Sequence, residues 1–333
     1  MTFGRSSALF GLSGGVVLVL ATVFLSLVIG ARSVPWAEIW QGLNGQIDSI
    51  GAAAVAVRVP RTVLAVLAGA ALGISGAVMQ GITRNPLADP GILGVNAGAA
   101  LFVVVGIAWF NISGAATFLW LGIAGAGCAA VFVYAIGSVG QGGATPLKLT
   151  LAGTATSIAA SAFIIAVVLP RNDIAGNVQA WQVGGVGGAR FQTILPALPF
   201  ALVGLLLSLA SARILNALAL GEELAAGLGQ NVALGRIVAA AGAIVLCGVA
   251  TALCGPIGFV GLVVPHLCRL TGGIDHRVLI PMAGLGGAVL LGLADVAGRI
   301  VARPNELDVG IVTAFVGAPF FIWTVRRHRM RGL

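Results

Sequence analysis

Arg58-Val-Pro-Arg61 sets two guanidinium groups three residues apart, and Arg299 follows Asp295 by one helical turn. Guanidiniums at the first spacing can project from one side of a helix entrance and grip carboxylates bidentately. The competing use is interfacial, with the apolar stems along the helix and the charged tips in water. For Asp295 and Arg299 the simplest chemistry is an i,i+4 ion pair. Bond-making chemistry finds no support. The chain has no P-loop, no H-E-x-x-H and no nucleophile elbow, and the Gly227–Gly229 pair lacks the third glycine of a dinucleotide turn. His266, His276 and His328 are far apart and read as helix-end or packing residues. Cys128, Cys247, Cys254 and Cys268 form no C-x-x-C and lie in apolar stretches, as small fillers would. The residues therefore point to no metal site, no cofactor and no enzyme.

Two further segments carry polar groups in suggestive patterns. In Arg84-Asn-Pro-Leu-Ala-Asp-Pro-Gly91, two prolines and a glycine stop one helix, and Asp89 can cap the next; a tight connection would explain as much. The segment Arg213–Arg236 holds Leu220-Gly-Glu-Glu-Leu-Ala-Ala-Gly-Leu-Gly229. Its spacing predicts one or two short helices bounded by glycine, more than a connector between neighbouring helices needs. A docking knob is the sharper reading.

The elements that position these groups follow from composition. Of 333 residues 59% are hydrophobic and 8% charged, with mean hydropathy +1.07, which excludes an ordinary soluble domain. About 20 apolar residues cross a hydrocarbon core as a helix, since lipid offers backbone groups no other partner. Charge-poor stretches predict an all-α polytopic membrane protein with about ten spans. They lie near 6–31, 62–83, 90–110, 114–138, 149–170, 191–212, 237–254, 256–268, 278–299 and 308–325, with a turn near Asn111–Gly114 and a break at Gly255-Pro256. The first run is too long for a typical signal segment and is expected to be retained as a span. Gly69 and Gly73 form a G-x-x-x-G that is either a helix contact face or a product of 50 glycines.

Net charge is +8, with basic residues scattered between apolar runs, so positive cytoplasmic loops explain it better than nucleic acid does. An inside N-terminus puts eleven basic residues inside and seven outside, which favours both termini in the cytoplasm. The seven are Arg32, Arg58, Arg61, Arg171, Arg190, Arg299 and Arg303, more than the rule expects and in need of a separate reason; for Arg58 and Arg61 the outside placement favours a protein partner over the interfacial use.

In this order, Arg58-Val-Pro-Arg-Thr, Gly76-Ala-Val-Met-Gln, Asn85–Gly94, Gly255–His266, Ala294-Asp295 and Gly317–Trp323 resemble the iron-siderophore, haem and vitamin B12 permeases of ABC importers, the FecCD family. The resemblance runs from about residue 55 to 325. It implies one B12-permease-like domain over residues 1–333, in the bacterial cytoplasmic membrane. The domain would pair with a second permease, identical or paralogous, amid membrane lipid. Two ATP-binding subunits would bind ATP and Mg, and an extracytoplasmic binding protein would deliver the cargo, most naturally a ferric siderophore. By the same resemblance Arg58, Arg61 and Arg299 would meet acids of the binding protein. Leu220, Gly221, Glu222, Glu223, Leu224, Ala225, Ala226, Gly227, Leu228 and Gly229, within the 213–236 loop, would couple to the ATPase. Asn85, Pro86 and Leu87, with Thr145, Pro146 and Leu147, would form a cytoplasmic gate, although Pro146 stands where a hydroxyl residue is expected. An ion-coupled carrier is the rival reading, disfavoured by the scarcity of ionisable residues within the spans.

Overall fold

A computed structural model describes residues 5–91, 94–112, 115–140 and 145–329. Among these residues there are helices and turns but no strand. The helices are α1 (Arg5–Val28), α2 (Trp36–Leu43), α3 (Ile50–Thr83), α4 (Val95–Phe110), α5 (Ala115–Gly137), α6 (Pro146–Val168) and α7 (Asn172–Val183). A short α8 (Phe191–Ile194) continues through a 3-10 turn into α9 (Leu198–Ala210). Then come α10 (Ala212–Leu218), α11 (Glu222–Gly227), α12 (Val232–Cys254), α13 (Val260–Gly272), α14 (His276–Val301) and α15 (Val309–Arg329).

Seven helical stretches, in α1, α3, α5, α6, α8–α9, α12 and α14, are long and apolar enough to cross a membrane; α4, α13 and α15 are shorter and apolar. Together they occupy the ten stretches expected from the sequence. The Gly255-Pro256 break falls between α12 and α13, where Gly255 (φ 73°) and Phe259 (φ 69°) both take left-handed backbone. Residues 92–93, in the expected third span, and 113–114, in the expected turn and at the start of the fourth span, lie outside the described residues.

Helix α3 differs from expectation. It starts at Ile50, well before Thr62, because the Ser49 side chain accepts from Ala52 N at 3.1 Å and fixes the first turn. Arg58 and Arg61 therefore lie inside a helix and do not open one, and Pro60 is carried within it. At about 1.5 Å per residue, its 34 residues span about 51 Å, against about 30 Å of hydrocarbon, so α3 projects beyond the membrane core. Helices α2 and α7 were not foreseen. In α2, only Ile39 and Gly42 are buried, too few apolar periods to register as a span.

Helix α3 is the bundle's axis, wrapped by α1, α12, α13 and α14. Large apolar side chains such as Leu18, Trp120, Phe132, Ile165 and Phe315 point outward, as a lipid-facing perimeter requires. At the level of Gly69, Gly73 and Gly287, α3 and α14 leave no room for side chains between them. A Cβ at Gly69 or Gly287 would collide with the other's carbonyl, and one at Gly73 with that of Ala283. The Gly69-x-x-x-Gly73 pair is thus a contact face that brings two backbones together. Gly76 does the same against Gly261 of α13.

Candidate functional site

Because α3 and α14 run antiparallel, each end of the pair gathers polar residues distant in sequence. At the arginine end, Arg58 is buried, and its guanidinium donates to the carbonyls of Leu27 (3.1 Å), Val28 (3.0 Å) and Arg32 (3.1 Å). These are carbonyls of the last turn of α1 and the segment after it, which a helix end leaves without intrahelical partners. Gly30 is what admits the side chain, since a Cβ there would strike the guanidinium. Arg299, 1% exposed, donates to Ser26 O (2.8 Å), Ile29 O (3.2 Å) and Ser26 Oγ (2.9 Å), and pairs with Asp295. Ser26 Oγ lies 2.7 Å from Thr62 Oγ1, closing a network over α1, α3 and α14.

The i,i+4 pair of Asp295 and Arg299 is present, but the sequence hid its third member. Arg61 Nε and Nη2 reach Asp295 Oδ1 at 2.9 and 2.8 Å, and Arg61 Nη1 reaches Glu306 at 2.5 Å. Of the three arginines assigned to a docking surface, the structure buries Arg58 and Arg299 with their donors turned inward. Arg61 alone retains a partly exposed side chain, at 11%. The reason is local: backbone carbonyls at the end of α1 compete for the guanidiniums, and nothing in the spacing Arg58–Arg61 announces them.

At the knob end, α10 and α11 are the two short helices expected, separated by Gly221 (φ 117°) and closed by Gly229 (φ 75°). Ala225 is buried, whereas Leu220, Glu223, Leu224, Ala226 and Leu228 are exposed. The knob thus presents three leucines, Leu220, Leu224 and Leu228, outward on a short element. Glu222 accepts from Arg236 of α12 at 2.6 Å and faces Arg84, at the end of α3, at 3.7 Å. The hydrogen bond from Arg236 holds its carboxyl below the usual range, with the Arg236 and Arg84 charges adding to it.

The turn after α3 is self-bonded. Arg84 takes left-handed backbone (φ 51°), Asn85 Oδ1 accepts from Leu87 N at 3.0 Å, and Asp89 Oδ1 accepts from Gly91 N at 2.7 Å. Asp89 therefore organises the turn; α4 is capped instead by Gly94. Thr145 caps α6 by accepting from Lys148 N at 3.4 Å, with Pro146 in the first turn, where its missing N–H is no loss. A Cβ on Gly94, at the start of α4, would lie in ordinary contact with Gly153 and Thr156 of α6, so α4 and α6, which follow the two assigned gate segments, are neighbours. Residues 141–144, ahead of Thr145, lie outside the described residues.

Sequence reasoning passed over a polar seam in the core. Asn96 Oδ1 accepts from Cys247 Sγ (2.7 Å) and Thr251 Oγ1 (3.2 Å), and Gln80 Nε2 donates to Gly261 O at 2.9 Å. These bonds tie α4 to α12 and α3 to α13, so Cys247 is more than a filler. A Gln and an Asn inside apolar runs were the available signal. His266 meets the Phe320 ring edge-on with centroids 5.6 Å apart, in line with a packing role. No group of three His, Cys, Asp or Glu side chains able to hold a metal occurs among the described residues.

The comparisons with known proteins bear on this arrangement. The chain is 41% identical over 316 residues to the ferric enterobactin transport system permease FepD of Escherichia coli, covering 95% of this chain and 94% of that one. To the iron(3+)-hydroxamate import permease FhuB of Bacillus subtilis it is 39% identical, over 98% of this chain and 85% of the other. A metal-chelate-type ABC transporter solved in an inward-facing conformation superposes with a TM-score of 0.81 at 29% identity, covering 96% of this chain and 99% of that one. The profile of the FecCD transport family matches residues 18–327. A helical bundle matched over this length, and this similar to two curated relatives, belongs to the FecCD transport family of ABC importer permeases.

Proposed function

We propose that this chain is the permease for a ferric siderophore, with both termini in the cytoplasm. The observation that carries the cargo is the 41% identity, across nearly the whole chain, to a ferric enterobactin permease. A relative named for a ferric hydroxamate supports the same class. Haem or cobalamin is the second reading, because relatives named for hemin and vitamin B12 share the family. A second permease, identical or paralogous, would complete the path, two ATP-binding subunits would drive it, and an extracytoplasmic protein would deliver the chelate.

In this reading the arginine end faces outward and the knob faces the cytoplasm, as the distribution of basic residues favours. Docking falls chiefly on Arg61, the most accessible of the three assigned arginines, while Arg58 and Arg299 hold the frame that presents it. The exposed leucines of Leu220–Gly229 enter a cleft of the ATPase. Closure of the ATP-bound pair pushes the knob and shifts the bundle between outward- and inward-open states, with Asn85–Leu87 and Thr145–Leu147 gating the inner mouth.

The test is uptake into proteoliposomes that hold the permease with its ATPase and binding protein. Iron-55 enterobactin, iron-55 hydroxamate, iron-55 citrate, hemin and cyanocobalamin are offered separately. ATP-dependent accumulation of an iron-55 siderophore is expected. Uptake of hemin or cobalamin alone would overturn the cargo, and gradient-driven uptake without the ATPase would overturn the drive.

A further inference from the structure

The knob is fastened to α14 by a single side chain from a helix sixty residues away in sequence. Asn216, in α10, uses both ends of its amide on the first turn of α14. Its Oδ1 accepts from His276 N (2.9 Å) and lies 2.8 Å from His276 Nδ1, while its Nδ2 donates to Asp275 Oδ1 at 2.7 Å. An amide oxygen only accepts, so Nδ1 carries the proton and Nε2 is turned away from α10. Nε2 points at α3, where a Cβ on Gly81 would stand 2.7 Å from it. Asp275 in turn caps α14 by accepting from Arg277 N at 2.9 Å. His276 is buried, and the neighbouring Leu215 and Leu218 of α10 are wholly so. The contact therefore joins α10, α14 and α3 at one point.

We infer that Asn216 is the positioning residue through which the knob moves α14, an inference that rests on reading the knob as the ATPase contact. The other polar tether of the knob, Glu222 to Arg236 and Arg84, is exposed and screened by water. The Asn216 contact is three bonds to one helix terminus, the one to Asp275 exposed and the two to His276 part-buried against the buried imidazole, so a shift of α10 against α14 strains all three together. At its far end α14 is gripped by the Asp295–Arg299 network with α1 and α3. A displacement of α10 thus has a continuous path to the arginine end along α14, which runs unbroken from His276 to Val301 with Pro281 carried in its second turn.

The experiment uses the assembled importer with Cys128, the exposed free cysteine, replaced by Ser. Spin labels are placed at Glu223 and Val139 to report the knob and, in a second sample, at Val301 and Leu169 to report the far end of α14; all four positions are exposed. ATP and vanadate trapping should change both distances in the otherwise unaltered importer. In Asn216→Ala the knob distance should still respond and the Val301 distance should not. A Val301 response of undiminished size in that variant overturns the proposal. Absence of any knob response in the unaltered importer overturns instead the ATPase-contact reading, and the proposal with it. Should Asn216→Ala fail to assemble, Asn216→Asp keeps an acceptor for both N–H groups but sets a carboxylate against Asp275. It should weaken the Val301 response by at least half, and a full response there is equally fatal.

Discussion

At one end of the α3–α14 pair, Arg58, Asp295 and Arg299 are buried and bonded to one another or to the backbone of α1; at the other, Glu222, Arg84 and Arg236 meet in the open. Both clusters involve α3, the first with α1 and α14 and the second with α11 and α12, and both combine arginines with a carboxylate at the centre. They differ in what surrounds the charge. Buried guanidiniums have lost their hydration and hold their geometry because every alternative partner is absent. Exposed ones exchange partners with water at little cost. The first end is therefore the better fixed of the two, and on the function proposed above the second is the end that is pushed.

Removing the central carboxylate from the buried cluster should be the most damaging change. Asp295→Ala leaves Arg299 without its anion and Arg61 with only Glu306, and breaking such a buried pair costs about 3–5 kcal/mol. A steep fall in thermal unfolding temperature in detergent is expected; an unchanged temperature would mean that the cluster is not a clamp. Next in size is Gly73→Val, which forces α3 and α14 apart where Gly73 meets the Ala283 carbonyl. Overpacking of this kind costs about 1–3 kcal/mol, and it should lower stability without altering the salt dependence of binding-protein association.

Arg61→Glu probes the most accessible arginine of the buried cluster. Binding-protein affinity should drop about tenfold at low salt, with the deficit shrinking as salt rises. An equal loss from Arg58→Lys would show that docking depends on the frame rather than on Arg61. The smallest effect belongs to Glu222→Gln. An exposed pair contributes about 0.2–1 kcal/mol, so stability should barely change while coupling between ATP hydrolysis and uptake loosens. The pH dependence has a definite sign. The carboxyl is depressed in the folded protein, so its contribution is complete above the unfolded value of about 4.3 and disappears as pH falls through the lower folded value. The Gln variant should therefore differ from the parent at pH 7 and converge with it in strong acid.

The ten apolar stretches and the glycine-bounded knob were legible because each depends on local composition: the length of a charge-free run, or glycines where φ turns positive. Even the Asp295–Arg299 pair was legible, since i and i+4 face each other on any helix. What the chain order could not disclose was competition between distant groups. Arg58 turned inward because the end of α1 supplies unpaired carbonyls and Gly30 leaves the space; Arg61 found Asp295 across more than two hundred residues; Asn216 found the first turn of α14. The sequence by itself determined that this chain crosses a membrane many times and which segments differ from plain spans. Only the tertiary structure decided which arginines are buried and which one stays partly exposed, because a guanidinium's fate depends on the nearest unsatisfied oxygen, and proximity in a helical bundle is set by packing rather than by chain order.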